Sequence, residues 1–206
     1  MEELGAGANG VVYRALDLTL GAEVALKYLA RPAGRDLYRL KRELPAPAAG
    51  AHPNPVQLHE PFVEGEQWCF TMELVAGVPL REHLRRAPDT LAATFTQLAD
   101  GVAAIHALGK IHRDLKPTNV LVEPGGRVVV LDFGLVRGAD PEELDHTHEA
   151  MAVGTPAFMS PEQAQDSELI DARSDIYSLG AVAYYLLTGS PPFVRKTAMQ
   201  VVVAHA

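Results

Sequence analysis

The pattern of the sequence changes near Gly77, and this change constrains the fold more than any other feature. Before it, short β-branched and aromatic runs such as 11–13 and 24–26 are separated by turn residues, which is typical of strands. After it, apolar residues recur at helical spacing, most clearly over 91–108. A strand-rich part followed by a helix-rich part predicts an α+β chain with two lobes and a cleft between them.

In the strand-rich part, the runs 11–13 and 24–26 are predicted to form a hairpin, because turn-favouring residues such as Asp17 and Gly21 separate them. The other elements predicted there are a helix over 36–44 stopped by Pro45 and Pro47, and strands at 56–58 and 68–75 joined by a turn at 64–66.

In the helix-rich part, we predict helices over 80–86, 91–108 and 174–188, the start of another at 196–206, and a small hairpin formed by 120–122 and 128–131. Gly109 and Gly189 are predicted to stop the second and third helices, because glycine readily takes the left-handed conformation that follows a helix. Pro88 ends the first, since proline cannot continue a helix.

The composition excludes several classes of protein. The formal net charge of −8 argues against a general nucleic-acid binder, which needs a basic surface. Cys69 is the single cysteine, so an intramolecular disulfide is excluded and a buried, inert thiol in a reducing compartment is expected. No run approaches the roughly 20 apolar residues that span a bilayer, and no signal peptide precedes Glu2. We therefore expect a cytoplasmic chain, or the cytosolic part of a longer protein, without a membrane segment.

Gly5, Gly7 and Gly10 have the G-x-G-x-x-G spacing that lets a backbone approach phosphate oxygens. This spacing alone also suits dinucleotide-binding folds or ordinary hairpins. A dinucleotide fold needs a helix directly after the glycines, whereas a β-branched run follows here. Lys27 follows the apolar run 24–26, and Glu43 in the predicted helix is its candidate acidic partner for holding phosphates.

The most specific motif is the polar run 112–119 between a predicted apolar helix and an apolar strand. Asp114, Lys116 and Asn119 offer a proton acceptor, a phosphate contact and a metal ligand in one tight loop. Asp132 follows the second strand of the small hairpin and can ligate Mg²⁺, which prefers oxygen ligands. A salt-bridged surface turn is the alternative interpretation of the polar run.

These motifs stand in the order that is typical of protein kinases, and the chain resembles that family over essentially its whole length. The resemblance implies a two-lobed kinase-like fold with a β-rich N-lobe at 1–75 and an α-rich C-lobe at 76–206 that lacks its last helices. It also implies ATP and Mg²⁺ as cofactors and protein substrates, with no nucleic-acid partner.

The same resemblance implies roles for individual residues. Asp114 would act as the catalytic base, Lys116 would neutralise the γ-phosphate, and Lys27 paired with Glu43 would anchor the other phosphates. Asn119 and Asp132 would hold the metal ions. The residues implied in nucleotide binding are Leu4, Gly5, Ala6, Gly7, Gly10, Val12, Ala25, Lys27, Met72, Glu73, Val75 and Leu121.

Lys116 and the segment 154–162 resemble the serine/threonine branch of the family, and the residues of the segment are similar to those of bacterial members. The resemblance implies that 154–162 docks peptide substrates and that Asp175 braces the catalytic loop. It further implies that Arg113 pairs with an activating phosphate, and we hypothesise that Thr147 is autophosphorylated.

Two features depart from the family pattern. Pro47 lies where an apolar residue is usual after the pairing Glu43, and helices expected beyond 206 would include the arginine that pairs with Glu162. Glu162 is therefore expected to lack its partner. The second hypothesis is a weak or inactive kinase-like module that binds nucleotide or protein. A small-molecule phosphotransferase is disfavoured by the peptide-docking segment 154–162.

Overall fold

The computed structural model describes residues 1–7, 10–29, 52–65, 67–132, 156–165 and 170–206. The described residues form two compact units. The first contains those of 1–52 and 56–76, and the second contains those of 53–55 and 77–206. Each unit has its own antiparallel sheet.

The sheet of the first unit has five strands in the order β1-β2-β3-β5-β4. Their bounds are Glu2–Gly7 for β1, Gly10–Asp17 for β2, Ala22–Leu29 for β3, Leu58–Glu64 for β4 and Gln67–Glu73 for β5. The predicted hairpin is confirmed as the β2–β3 pair. Because β3 continues to Leu29, Lys27 lies inside this strand and not at its end.

The turn between β2 and β3 follows from its side chains. Asp17 Oδ1 accepts the backbone N–H groups of Thr19 and Leu20 at 2.8 and 2.9 Å. Gly21 has a φ of 63°, a left-handed value that glycine takes without a Cβ clash. The short-range preferences of Asp and Gly therefore set the position of this turn.

The prediction of a strand at 56–58 was wrong, since β4 runs over Leu58–Glu64. Pro61 lies inside β4, and proline usually argues against a strand because it cannot donate to the ladder. The sheet order places β4 at an edge, where a missing N–H costs no ladder bond. The pairing with β5 is irregular between Leu58 and Pro61.

The core of the first unit is formed by its central strands, β3 and β5, where consecutive residues are buried because both faces of the sheet are covered there. Its buried apolar members include Val24, Ala25, Leu26, Cys69, Phe70 and Met72. Cys69 is fully buried, and this burial raises the pKa of its thiol. The predicted burial of the thiol is therefore confirmed, and a raised pKa favours its protonated, less reactive form.

The second unit combines a small sheet with helices. Its strands are β6 at Val78–Pro79, β7 at Val120–Val122 and β8 at Val128–Val130, in that order. Its helices are α1 at Leu80–Arg86, α2 at Leu91–Ala107, α3 at Pro161–Ala164, α4 at Ala172–Thr188 and α5 at Ala198–His205. The predicted small hairpin is confirmed as β7–β8. Sequence patterns did not predict β6, because two residues are too few to show a period.

The ends of α4 follow local rules. The Asp171 side chain accepts the backbone N–H of Arg173 at 2.8 Å, which caps the N-terminus. Gly189 follows the last turn with a φ of 78°. Gly109, just beyond α2, has a φ of 70°. Both predicted glycine stops are confirmed.

Helix α2 packs against β8 at very short range. A Cβ added at Gly101 of α2 would lie 2.9 Å from Asn54 Cβ and 3.0 Å from Val130 Cγ2. Asn54 Nδ2 also donates to the Val128 carbonyl at 2.7 Å, so a polar side chain ties this packing to the sheet edge. The core contacts of α2 are made by Leu98, Val102 and Ile105, each at most 1% exposed.

Some predictions fall outside the described residues. These are the helix over 36–44 with Glu43, the prolines 45 and 47, and the loop that contains Thr147. Within the part of the chain that the structure describes, no helix is long and apolar enough to cross a membrane.

Candidate active site

The polar loop 112–119 joins α2 to β7 in the second unit. Its last residues, Pro117–Asn119, form a single 3₁₀ turn. The ends of the loop are held by α2 and β7. Within the loop, the side chains of Asp114 and Lys116 are 26% and 22% exposed.

Asp175 of α4 holds the start of this loop. Its carboxylate is 1% exposed and accepts the backbone N–H groups of His112 at 2.7 Å and Arg113 at 2.9 Å. The ring of His106 in α2 adds a third contact, with Nε2 2.7 Å from Asp175 Oδ2. The predicted bracing role of Asp175 is confirmed, since a buried carboxylate is stable only with such partners.

The loop contains a residue in an unfavourable backbone conformation. Arg113 has a φ of 68°, and this left-handed region costs roughly 1–2 kcal/mol for a residue with a Cβ. Asp132 also has a positive φ, of 57°. Non-glycine residues persist there only when their surroundings hold them, and such residues cluster at functional sites.

Asp114, Lys116 and Asn119 are brought together. Lys116 Nζ lies 2.7 Å from Asp114 Oδ2. Asn119 Nδ2 donates to the Asp114 carbonyl at 2.8 Å and to Asp114 Oδ2 at 3.1 Å. Both partners therefore bind one carboxylate oxygen of Asp114, and Oδ1 points to neither of them.

Asn119 and Asp132 are the two residues predicted to hold a metal ion. The amide nitrogen of Asn119 is used on Asp114, so its amide oxygen is the atom suited to a cation. The Leu131 N–H donates to the Asn119 carbonyl at 2.8 Å. Asp132 is the next residue along the chain, so this backbone bond lies one residue before it. Among the described residues, no three His, Cys, Asp or Glu side chains form a metal cluster. An amide oxygen and a carboxylate are nevertheless the kinds of ligand that Mg²⁺ prefers, since this cation keeps several waters and binds substrate phosphates.

His112 supports the backbone of Asp114 from inside the protein. It is 2% exposed, and burial lowers the pKa of its ring against the opposing effect of Asp175. The neutral ring accepts the Asp114 N–H through Nδ1 at 3.3 Å, which leaves the ring proton on Nε2. His112 is thus a structural neighbour of Asp114 and not a proton donor to solvent.

Glu162 of α3 has a partner that sequence reasoning did not foresee. Its carboxylate accepts a hydrogen bond from the Ser174 hydroxyl of α4, and this bond lowers the pKa of Glu162. Glu162 therefore has a hydroxyl partner within the described residues, whereas the pairing with an arginine beyond position 206 stays a prediction. The Ser178 hydroxyl donates to the Phe158 carbonyl at 2.7 Å, so α4 also holds the segment before α3.

The predicted phosphate-binding residues of the first unit lie on its sheet. Lys27 is 2% exposed and pairs in register with Val12 and Phe70. Gly5 and Gly7 lie in β1, where an added Cβ would meet no atom within 4 Å. Their small size is therefore not required by packing within the described structure.

The remaining predicted nucleotide contacts are distributed over both units. Leu4, Ala6, Gly10, Val12, Ala25, Met72, Glu73 and Val75 belong to the first unit, and Leu121 belongs to β7 of the second. Ala25 is directly opposite Met72 in the sheet. Gly10 has a φ of 122°, which disfavours any residue with a side chain.

Sequence reasoning overlooked two residues that support the loop: His106, which contacts Asp175, and Gln163, which bonds the Arg113 carbonyl. Gln163 stands three residues after Ser160, which is the spacing of a capping box, so its role at a helix start was available from the sequence. Its second contact, with the polar loop 112–119, leaves no local signal. His106 looks like any polar residue near a helix end.

A five-stranded antiparallel sheet with a buried lysine, and a helical unit whose polar loop gathers Asp114, Lys116 and Asn119, define the α+β class of protein kinase folds. Residues 1–205 match the family described as Protein kinase domain. The chain belongs to this family.

Named relatives are bacterial kinases. Serine/threonine-protein kinase PkaA of Streptomyces coelicolor is 39% identical over 99% of this chain, which covers 41% of PkaA. DNA damage-responsive serine/threonine-protein kinase RqkA of Deinococcus radiodurans is 42% identical over 98% of this chain, and 31% of RqkA is covered. Serine/threonine-protein kinase PknL of Mycobacterium bovis is 36% identical over 97% of the chain, and 51% of it is covered. The chain thus spans between about a third and a half of the length of these relatives.

Proposed function

We propose that the chain is a serine/threonine protein kinase domain that transfers the γ-phosphoryl group of ATP to hydroxyl groups of proteins. The observation that carries this proposal is the shared oxygen of Asp114, bonded to both Lys116 and Asn119. The names of the similar bacterial kinases support it. We assign residues 1–75 to the N-lobe and 76–206 to the C-lobe of the kinase.

Asp114 acts as the catalytic base in this proposal. Because Lys116 and Asn119 occupy Oδ2, Oδ1 is the oxygen that accepts the proton of the substrate hydroxyl. The substrate oxygen forms its bond to the γ-phosphorus while the bond from that phosphorus to the departing ADP oxygen breaks. Lys116 lies beside Asp114 and stabilises negative charge on the transferred group.

Asn119 and Asp132 hold Mg²⁺ in the proposed site. Asn119 offers its amide oxygen and Asp132 its carboxylate, which are the hard oxygen ligands that this cation prefers. The cation neutralises charge on the phosphates when bound. Asn119 keeps its hydrogen bonds to Asp114 in this arrangement. Asn119 therefore orients the base through its amide nitrogen and binds the cation through its amide oxygen.

Lys27 and the glycine-bearing strands bind the phosphates of ATP, with Glu43 as the proposed partner of Lys27. The open space beside Gly5 and Gly7 supports this role, because a bound phosphate and not internal packing then explains the absence of side chains. Gly10 is assigned with Gly5 and Gly7 to the lid over the phosphates, and Leu4 and Ala6 are assigned to nucleotide binding. The adenine is assigned to Val12, Ala25, Met72, Glu73, Val75 and Leu121.

Arg113 supports the hypothesis of an activating phosphate. Its Nε is buried, and no acceptor for it is found among the described residues. A phosphate on Thr147, outside the described residues, would supply the acceptor. Phosphopeptide mapping of active protein should find Thr147 modified, and an unmodified loop in active protein would refute the hypothesis.

The proposed partners are proteins and not nucleic acids, in line with the net charge of −8. The single, buried Cys69 suits a reducing compartment, which supports a cytoplasmic location for this domain.

The proposal is tested by incubating the protein with labelled ATP, Mg²⁺ and a generic protein substrate. We expect phosphoserine or phosphothreonine on the substrate, detected by mass spectrometry, and ATP binding measured by calorimetry. ATP binding without transfer would favour the alternative of a weak or inactive kinase-like module, which the position of Pro47 supports. Absence of both would overturn both hypotheses.

A further inference from the structure

The backbone of Arg113 is held on both sides by side chains from other elements. Asp175 Oδ1 accepts the Arg113 N–H at 2.9 Å. Gln163 Nε2 donates to the Arg113 carbonyl at 2.6 Å. This carbonyl belongs to the peptide that joins Arg113 to Asp114, so the second bond acts directly on the backbone of the proposed base.

The orientation of Gln163 is set by two partners that cannot exchange roles. The Ser160 N–H can only donate, and it bonds Gln163 Oε1 at 3.1 Å. The Arg113 carbonyl can only accept, and it faces Nε2. The Gln163 N–H also donates to Ser160 Oγ at 3.4 Å, which completes the capping box of α3.

The bond from Gln163 matters because Arg113 is in the left-handed region, with a φ of 68°. A residue with a Cβ leaves this region when its backbone partners are lost. Rotation about Arg113 would turn the following peptide and move the Asp114 carboxylate away from Lys116 and Asn119. Holding the carbonyl therefore keeps these three side chains together.

We propose that Gln163 is a positioning residue for phosphoryl transfer: it fixes the Arg113–Asp114 peptide, and so links the start of α3 to the geometry of the catalytic base. This inference rests on the proposed kinase function. Gln163 acts through Arg113 and is not assigned to nucleotide, metal or substrate binding. The effect of its loss is therefore expected in kcat and not in the KM for ATP.

The test uses Gln163→Glu and Gln163→Met. Glutamate keeps an acceptor for the Ser160 N–H but places an oxygen opposite the Arg113 carbonyl, whereas methionine has a similar length without strong polar groups. We expect both variants to lower kcat by about tenfold or more, as for a lost orienting hydrogen bond, with the KM for ATP within about twofold of wild type. Gln163→Lys, which keeps a donor, should retain more activity than Gln163→Met.

Two controls separate positioning from charge and from stability. Gln165→Glu makes the same charge change at the exposed residue after α3. Thr197→Ala removes the side chain that caps α5 and lowers stability without touching the loop. Both should keep the wild-type kcat. Wild-type kcat in Gln163→Met, or losses that equal those of Thr197→Ala at matched thermal stability, would overturn the proposal.

Amide hydrogen exchange keeps this inference separate from the proposed function. Backbone amides at 113–115 should exchange faster in Gln163→Met than in wild type, whether or not the protein transfers phosphate. If the wild type shows no transfer, the kinase function fails while the exchange result still decides the positioning role. Unchanged exchange in active protein would overturn the positioning role alone. Should Gln163→Met fail to fold by circular dichroism, the comparison of Gln163→Glu with Gln163→Lys decides in the same way.

Discussion

Lys116 Nζ and Asn119 Nδ2 converge on the same oxygen of Asp114, at 2.7 and 3.1 Å. The other carboxylate oxygen, Oδ1, bonds neither of these groups. One oxygen is thus held in place and the second can accept a proton from a substrate. This division of roles within one carboxylate leads to the first prediction.

Asp114→Asn should abolish most phosphoryl transfer and leave ATP binding intact. Asparagine keeps the size of the side chain but cannot accept a proton, so we expect kcat to fall by about 10²–10⁴-fold. Calorimetry should give an unchanged affinity for ATP with Mg²⁺. Asp89→Asn, at an exposed site in a separate 3₁₀ turn, is the matched control and should keep full activity. A near-normal rate for Asp114→Asn would show that another group accepts the proton.

Gly5→Ala and Gly7→Ala should weaken ATP binding without destabilising the protein. An added Cβ at either site meets no atom within 4 Å, so the folded chain can accept it. A phosphate approaching this backbone would meet the new methyl group, and the KM for ATP should rise severalfold. Thermal melting without nucleotide should match wild type. If the KM for ATP of both variants equals that of the wild type, a phosphate-covering role for β1 would be contradicted.

Gly101→Ala and Gly180→Ala should change stability in opposite directions, although both lie in helices. The Cβ at position 101 would approach Asn54 Cβ to 2.9 Å, and overpacking of this kind costs about 1–3 kcal/mol. The Cβ at position 180 of α4 meets nothing within 4 Å, so the higher helix propensity of alanine should stabilise by up to about 1 kcal/mol. Urea unfolding of both variants gives the comparison. Stabilisation by Gly101→Ala would show that α2 moves away from Asn54 freely.

Stability should fall as the pH drops below about 6.5, the ordinary pKa of histidine. Burial lowers the pKa of His112, with Asp175 and Asp114 acting in the opposite direction, and burial lowers the pKa of His205 as well. The unfolded chain therefore binds more protons than the folded chain in the window below 6.5. The contribution of the two neutral histidines to the free energy of unfolding is fully present above this pH. On acidification below it, the free energy of unfolding should decrease by at most about 1.4 kcal/mol per pH unit for each histidine.

Urea unfolding at pH 7.5, 6.5 and 5.5 measures this dependence. His205→Asn removes one of the two groups and should give a shallower decrease between pH 6.5 and 5.5 than wild type. A free energy of unfolding that stays constant or rises on acidification over this range would contradict the neutral, buried state of His112.

Much of the architecture was predictable because it depends on neighbours along the chain. The β2–β3 hairpin, the α4 helix and the stops at Gly109 and Gly189 follow from periodicity and from the backbone freedom of glycine. Failures occurred where a position in the sheet overrode a local rule, as for Pro61 in the edge strand β4.

By itself, the sequence determined the identity of the polar loop, since Asp114, Lys116 and Asn119 lie within six consecutive residues and a tight turn brings them together. Only the tertiary structure decided what holds that loop. Asp175 and Gln163 reach Arg113 from positions 62 and 50 residues away, and the Ser174 hydroxyl donates to Glu162 from 12 residues away. Bonds between a side chain and a distant backbone depend on packing geometry, and such contacts leave no periodic pattern in a single sequence.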